Sequence, residues 1–105
     1  MLVNISIQTF KLENDLELSC SRWRDVRHKF MPELERLGLK RYTTTRIWNK
    51  KEKHQLAHIF EYDTQEAMQA CLPVWGKIEN EWREKIVNTT LGFRGVIIDQ
   101  DDFSD

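Results

Sequence analysis

His58 is the side chain of this sequence with the clearest capacity for acid–base chemistry. An imidazole has an ordinary pKa of about 6.5, so it can accept or release a proton near neutral pH. A general base also needs a substrate within hydrogen-bond reach. We therefore take His58 as the candidate catalytic residue. A second interpretation stays open, in which its imidazole is hydrogen-bonded inside a dimer interface.

Side chains that could hold a small molecule are spread over several segments. Ligand cavities are largely apolar, with a few polar groups that fix the orientation of the ligand. Asn4 belongs to a polar strand face, which either lines a ligand-holding space or is a plain solvated face. Arg46 would position an anionic group, or it would pair with Glu61 across a hairpin. The predicted ligand-binding residues are Asn4, Arg46, Trp48, Tyr62, Trp75 and Trp82.

Metal and thiol chemistry are disfavoured by the spacing of the candidate groups. His58 and Glu61 are close in sequence, but strand alternation sends them to opposite faces. Cys71 occupies a helical core position, where a cysteine usually acts as a small hydrophobe. The glycines are scattered and form no phosphate-binding loop. We expect no metal and no cofactor.

Length and charge bound the class of protein. The chain has 105 residues and a net charge of −1. This indicates one domain, without the strong field that draws a protein to nucleic acid or an anionic membrane. No apolar run approaches the roughly 20 residues of a membrane span, and no signal-peptide pattern begins the chain. The two cysteines have neither metal-ligand nor disulfide-scaffold spacing, so we expect reduced thiols in a cytoplasmic protein.

The first half of the chain predicts a strand, a helix and a hairpin. A first strand is predicted from Leu2 to Leu12, and its apolar face, formed by Val3, Ile5 and Ile7, is expected to pack on helices. A helix should run from about Ser19 to Leu37, with a kink or break at Pro32. Gly38 suits the left-handed residue after it. The two strands of the hairpin are then predicted at 40–49 and 55–62.

The second half predicts a helix and a fourth strand. Asp63 or Thr64 should cap a helix that starts near Gln65 and changes course at Pro73. Residues 88–92 should close that helix, and Phe93 to Asp99 should form the last strand. We expect a single domain over residues 1–99 and a flexible acidic tail over 100–105.

This order of elements is that of the ferredoxin-like sandwich, an α+β fold with two helices on one face of a four-stranded antiparallel sheet. The opposite face is expected to carry His58, Phe60 and Tyr62. An aromatic patch of that size calls for a cover. A second copy of the sheet would provide it, so we expect a homodimer with no nucleic-acid or membrane partner.

The pattern resembles the dimeric α+β barrel superfamily, which includes antibiotic-biosynthesis-monooxygenase-like and NIPSNAP-like proteins. The resemblance rests on the element order, the long second helix and the segment FEYDTQEAMQACLPVW, Phe60 to Trp75. It implies dimers formed through the sheets, and some members oxidise aromatic polyketides or degrade haem. The haem-degrading members use a first-strand Asn, a helix Trp and a helix His. Asn4 and Trp75 match the first two, but the second helical region has no His, so haem degradation is rejected.

RNA-binding domains of the RRM type share this element order. Their third strand carries aromatic residues within a basic, glycine-containing motif. The third strand here is LAHIFEYD, which contains no Lys, Arg or Gly. RNA recognition is therefore not expected.

Two functions stay open. The first is a small-molecule-binding dimeric barrel that acts as a cofactor-independent monooxygenase-like enzyme on an aromatic substrate, with His58 as base. The second is a non-catalytic homodimeric barrel whose aromatic sheet face serves only dimerisation.

Overall fold

The computed structural model describes residues 1–83, 86 and 88–104, without the side chains of residues 82 and 83. Its elements follow the predicted order, and the ferredoxin-like fold is confirmed. They are β1 (Leu2–Phe10), α1 (Glu13–Leu37), β2 (Leu39–Arg46), β3 (His54–Tyr62), α2 (Gln65–Arg83) and β4 (Asn88–Val96).

The four strands form one antiparallel sheet in the order β2-β3-β1-β4. β1 is central and pairs along its whole length with both neighbours: Ser6 lies opposite His58 on one side and Gly92 on the other. Both helices pack on the same face of this sheet and contact each other.

α1 is longer than predicted and continuous through Pro32. A helical proline removes the N–H donor for the carbonyl four residues earlier. Pro32 and His28 are both exposed, so water can satisfy that carbonyl and no break is needed. The helix ends as predicted at Gly38, with φ 116° and ψ 9°. A Cβ at Gly38 would lie 2.5 Å from the Cβ of Ala67, so glycine is required by both backbone and packing.

α2 begins at a side-chain cap, as expected. The Thr64 hydroxyl accepts a hydrogen bond from the backbone N–H of Ala67 at 3.1 Å, which satisfies one free donor of the first turn. The helix is also assigned without interruption across Pro73. The prediction for the last strand was wrong: β4 starts at Asn88, because 88–92 pair with β1 instead of closing the helix.

The sheet has two unlike faces, which we call the cavity face, toward the helices, and the outer face. The prediction of which residues face the helices was wrong. Strand alternation and register place the polar face of β1, together with His58, Phe60 and Tyr62, on the cavity face. β3 is apolar on both sides, so its pattern could not decide the orientation. The outer face carries Val3, Ile5, Ile7, Ala57, Ile59, Leu91 and Phe93.

The buried core is divided into two clusters. The larger cluster lies where α1 ends and α2 begins, and the smaller cluster lies toward the other end of the sheet. The larger consists of Leu34, Leu39, Tyr62, Met68, Cys71, Val74 and Ile78, and the smaller of Phe10, Leu16, Leu56 and Ile86.

Candidate functional site

A cavity of about 600 Å³ lies between the sheet and the two helices. This volume is within the range of cavities that hold small organic molecules. All four strands and both helices contribute to it. The lining residues are Asn4, Ser6, Gln8, Ser19, Trp23, Tyr42, His58, Phe60, Tyr62, Leu72, Trp75, Ile78, Glu79, Ile86, Asn88 and Thr90.

One wall of the cavity is aromatic. Phe60 and Trp75 meet edge to face with ring centroids 4.7 Å apart. Tyr42 lies 5.2 Å from Phe60 and 5.4 Å from Trp75, and Trp23 lies 5.7 Å from Tyr42. Rings at these separations make favourable aromatic contacts with one another, so the wall is a continuous aromatic surface.

A chain of hydrogen bonds crosses the cavity face from β2 to β4. Tyr42 Oη lies 2.8 Å from His58 Nδ1, and His58 Nε2 lies 2.5 Å from Gln8 Oε1. Gln8 Nε2 in turn donates to Asn88 Oδ1 at 3.5 Å. The Thr44 hydroxyl donates to Tyr42 Oη at 2.9 Å. Each strand therefore contributes at least one polar side chain to a connected network.

His58 is neutral at neutral pH in this environment. Burial lowers its pKa from 6.5 to about 4, because the charged imidazolium loses hydration. Burial also raises the pKa of Tyr42. A neutral imidazole can accept a proton, but a group with so low a pKa is a weak base.

The far end of the cavity holds a second polar group. Trp75 Nε1 donates to Tyr62 Oη at 2.9 Å, and burial raises the pKa of Tyr62 to about 12. Asn4 Oδ1 is buried and has no hydrogen-bond partner among the described residues. A buried acceptor without a donor is costly, and this one lines a cavity large enough to admit a donor.

The structure brings together four of the residues predicted from the sequence and separates the others. Asn4, His58, Tyr62 and Trp75 all line the cavity. The side chain of Trp82 lies outside the described part of the structure.

Arg46 and Trp48 are not brought to the cavity. Arg46 donates to Glu17 at 2.5 Å and to Glu13 at 3.0 Å on the surface of α1, because those carboxylates lie beside the end of β2. The pairing with Glu61 expected across the hairpin is not formed; Arg41 contacts that carboxylate at 3.5 Å. Trp48 follows the end of β2 and is 88% exposed.

Several lining residues were missed by the sequence analysis. Gln8 and Tyr42 carry the network around His58, and Phe60 and Trp23 build the wall. The sequence signal for this face was the alternating set Asn4, Ser6 and Gln8, which are polar but uncharged. The residues that contact this set depend on the pairing of β1 with β3 and of β3 with β2. That pairing cannot be read from the sequence of β1.

The charged residues, potential metal ligands and cysteine near the cavity further limit the reactions that this site could carry out. Among the described lining residues Glu79 is the one carboxylate, and no Lys or Arg is included. Within residues 1–83, 86 and 88–104, no group of three His, Cys, Asp or Glu is placed to hold a metal ion. Cys71 is fully buried, its thiol 3.7 Å from the Leu34 carbonyl oxygen, and burial raises its pKa, which disfavours the nucleophilic thiolate.

The fold and the cavity define a ferredoxin-like α+β domain with an aromatic-walled space between sheet and helices. The chain belongs to the family described as "Domain of unknown function (DUF6974)", whose model matches residues 1–97. No protein with a curated description matches this chain. No helix in the described ranges is long and apolar enough to cross a membrane.

Solved structures share the fold over almost the whole chain. A dimeric ferredoxin-like protein from an uncultured marine organism has a TM-score of 0.85 and 27% identity, covering 97% of this chain and 99% of its own. A second protein of the same description and source has a TM-score of 0.82 and 16% identity, covering 95% and 97%. SnoaB, a cofactor-independent oxygenase from Streptomyces nogalater, has a TM-score of 0.61 and 14% identity, covering 94% and 95%.

These similarities confirm the resemblance to dimeric ferredoxin-like and antibiotic-biosynthesis-monooxygenase-like proteins. At 14% identity, the likeness to the oxygenase shows a common fold and not a common activity. The NIPSNAP-like part of the resemblance stays a prediction.

Proposed function

We propose that this protein is a homodimer that binds a small aromatic molecule in the cavity and oxidises it as a cofactor-independent monooxygenase-like enzyme. The observation that carries the proposal is the cavity itself. It combines about 600 Å³ of space with an aromatic wall and a buried acceptor, Asn4 Oδ1, that has no partner among the described residues.

The lining favours a flat ligand that carries hydrogen-bonding groups and no phosphate or carboxylate. The wall of Tyr42, Phe60 and Trp75 offers a ring face or edge for aromatic contact. Asn4 Oδ1 requires a donor, such as a hydroxyl. An anionic group would meet Glu79 and no described cation in the lining, so its desolvation would be uncompensated.

In the proposed reaction, a ring CH₂ of the substrate becomes C=O and the second oxygen atom of O₂ leaves as water. The substrate supplies all four electrons, so no external reductant is required. The protein's part is to hold the ring against the wall, exclude water and accept the first proton at His58. Support by analogy comes from SnoaB, a cofactor-independent oxygenase with the same fold.

The outer face supports the dimer. Ile5, Leu91 and Phe93 are 37%, 61% and 52% exposed on it, and they adjoin further aliphatic residues of β1 and β3. A contiguous apolar sheet face of this kind marks an interface. A self-complementary contact between two copies is the simplest cover, and two structural neighbours are described as dimeric.

A second candidate is a binding protein without turnover. The pKa of His58, lowered to about 4 by burial, favours it, since a weak base abstracts a proton slowly. In this candidate the outer face alone serves dimerisation. The aromatic residues that we expected at the interface lie on the cavity face.

Anthrone tests both candidates, because it is a flat carbon acid whose CH₂ becomes C=O on oxidation. We expect it to quench tryptophan fluorescence on binding, and we expect O₂ uptake with formation of anthraquinone. Ser6→Phe, which fills the cavity, should weaken binding at least about tenfold. Arg46→Ala and Trp48→Ala, outside the cavity, should bind as the parent does.

The variant His58→Ala separates the candidates. An enzyme should lose turnover while binding and the dimer persist. Binding without O₂ uptake in the parent protein would favour the binding protein. A Ser6→Phe variant that binds anthrone as tightly as the parent would contradict a ligand in this cavity.

A further inference from the structure

The hydrogen bonds on the Gln8 side of His58 run in one direction, which fixes the position of the imidazole proton. Gln8 donates through Nε2 to Asn88 Oδ1, so its Oε1 is the atom that faces His58 Nε2. An amide oxygen only accepts, hence Nε2 of His58 carries the proton. Nδ1 is then the unprotonated nitrogen, and the shorter of its two hydroxyl contacts is with Tyr42, at 2.8 Å against 3.3 Å for Thr44.

The Tyr42 hydroxyl also has a second hydrogen-bond partner, Thr44. Thr44 donates to the Tyr42 oxygen at 2.9 Å and is exposed on β2, an edge strand. Tyr42 therefore lines the cavity, and its hydroxyl contacts both His58 Nδ1 and the exposed Thr44 hydroxyl.

We propose that Gln8 is a positioning residue that fixes the tautomer of His58, and that Tyr42 is the group through which His58 takes a proton from a bound hydroxyl. The inference deepens the proposed function and rests on it for the ligand. It adds two residues and an order of proton transfer that the cavity alone does not define.

The transfer balances without any other reactant. The ligand O–H bond breaks and its proton passes to the Tyr42 oxygen, while the hydroxyl proton of Tyr42 passes to His58 Nδ1. The products are the ligand anion and the His58 imidazolium, whose Nε2–H stays bonded to Gln8 Oε1. The oxygen of Thr44 lies 3.3 Å from His58 Nδ1 and is exposed, so it is placed to accept the imidazolium proton and pass it to solvent.

The surroundings of His58 determine which hydroxyl can give up its proton. Ser6 of β1 lies opposite it in the register, and Ser19 and Trp23 of α1 line the same cavity. The charged or titratable neighbours are Cys20 and Arg27 of α1, which act on Tyr42, and Glu79 of α2.

None of these groups is a carboxylate bonded to the imidazole, so nothing offsets the burial that lowers the pKa of His58 to about 4. A base that weak matches acidic hydroxyls, such as enols conjugated to a carbonyl, better than simple phenols. The ligand class is thus an aromatic molecule with an acidic enol or phenol.

The decisive experiment uses the protein without ligand and is therefore independent of the proposed function. The two ring nitrogens of His58 are followed by ¹⁵N NMR of the full chain across pH. We expect the Nε2–H tautomer to predominate at neutral pH. In Gln8→Glu a carboxylate replaces the amide oxygen, which should stabilise the imidazolium and raise its proton affinity about a hundredfold or more.

Gln55→Glu is the matched control. Gln55 of β3 lies opposite Thr9 of β1 and hydrogen-bonds to it on the outer face. The same new carboxylate would therefore lie on the other side of the sheet from His58. It should leave the tautomer and titration of His58 nearly unchanged. A predominant Nδ1–H tautomer in the parent, or equal effects of Gln8→Glu and Gln55→Glu, would overturn the assignment.

The proton route is tested with 4-nitrophenol, whose absorbance reports its ionisation. Bound to the parent, it should ionise at a lower pH than when bound to Tyr42→Phe, which lacks the relaying hydroxyl. Equal ionisation in both would remove Tyr42 from the route. Failure of any phenol to bind would count against the proposed function, while the NMR result would still decide the role of Gln8.

Discussion

The cavity face and the outer face of the sheet differ in chemistry and therefore suit different partners. The cavity face joins a hydrogen-bonded network, from Tyr42 to Asn88, to a packed aromatic wall. The outer face is apolar, with Ile5, Leu91 and Phe93 exposed. Directional groups select a small molecule by its chemistry, whereas a flat apolar surface selects a large partner by its shape.

The difference shows that hydrophobicity does not identify the inside of a small domain. The more apolar face of β1 points away from the chain's own helices, and the polar face points toward them. This arrangement is economical if a second copy buries the first face and a ligand completes the second. Substitutions on alternate residues of β1 can therefore change one function without the other.

The largest effect is expected for a charge on the outer face. Ile5→Lys would bring two like charges together across a twofold axis in an apolar interface, which we expect to cost about 4 kcal/mol of dimerisation free energy, near a thousandfold in Kd. Sedimentation velocity measures the dimer. Leu18→Lys, at a position 45% exposed on α1, is the control and should leave it intact. A monomeric parent protein would remove the proposed interface.

The next effect is a loss of stability in mild acid that comes from the cavity face. Burial lowers the pKa of His58 from 6.5 to about 4, so between these values the unfolded chain binds a proton that the folded chain does not. Stability is full above 6.5 and falls as pH decreases toward about 4. The difference of about 2.5 units corresponds to a loss of about 3 kcal/mol.

Urea unfolding at a series of pH values measures this loss. His58→Gln removes the titrating group, so its stability should decline less steeply over the same interval. Parallel pH profiles for parent and variant would show that His58 titrates normally in the folded protein.

A smaller effect separates ligand binding from stability within the cavity face. Asn4→Leu removes a buried acceptor that has no described partner, so the empty protein should gain about 1 kcal/mol, while a hydroxyanthrone, whose hydroxyl can donate to that oxygen, should bind about tenfold more weakly.

Asn88→Leu is the matched change, because the amide of Asn88 bonds to Gln8, Thr90 and the Ile86 carbonyl. It should lose about 1–2 kcal/mol. Thermal unfolding of both variants gives the comparison, and destabilisation by Asn4→Leu would mean that its oxygen has a partner in solution.

Much of the fold was predictable because it depends on local chemistry. Alternation located the strands, and apolar stripes located the helices. Thr64 and Gly38 occupy cap positions that suit them, Thr64 through its hydroxyl and Gly38 because it has no Cβ. The element order then allowed few topologies. The start of β4 was missed because Asn88 and Gly92 are turn-forming residue types, and pairing with β1 makes the segment from Asn88 to Gly92 part of a strand.

The site was predictable in part. Asn4, His58, Tyr62 and Trp75 line the cavity, whereas Arg46 is drawn to Glu13 and Glu17 on the surface. Such pairings depend on which strand end meets which helix. That information is tertiary, so no pattern within a single segment contains it. The flexibility of the acidic tail stays a prediction.

The divided core has a consequence for the way the domain opens. A protein unfolds locally in units held together by their own buried contacts, and here the larger and smaller clusters are separate groups of buried residues. Tyr62 and Ile78 of the larger cluster and Ile86 of the smaller one all border the cavity. A bound ring would therefore contact both clusters at once. Occupancy should make the opening of the two ends of the domain more cooperative than it is in the empty protein.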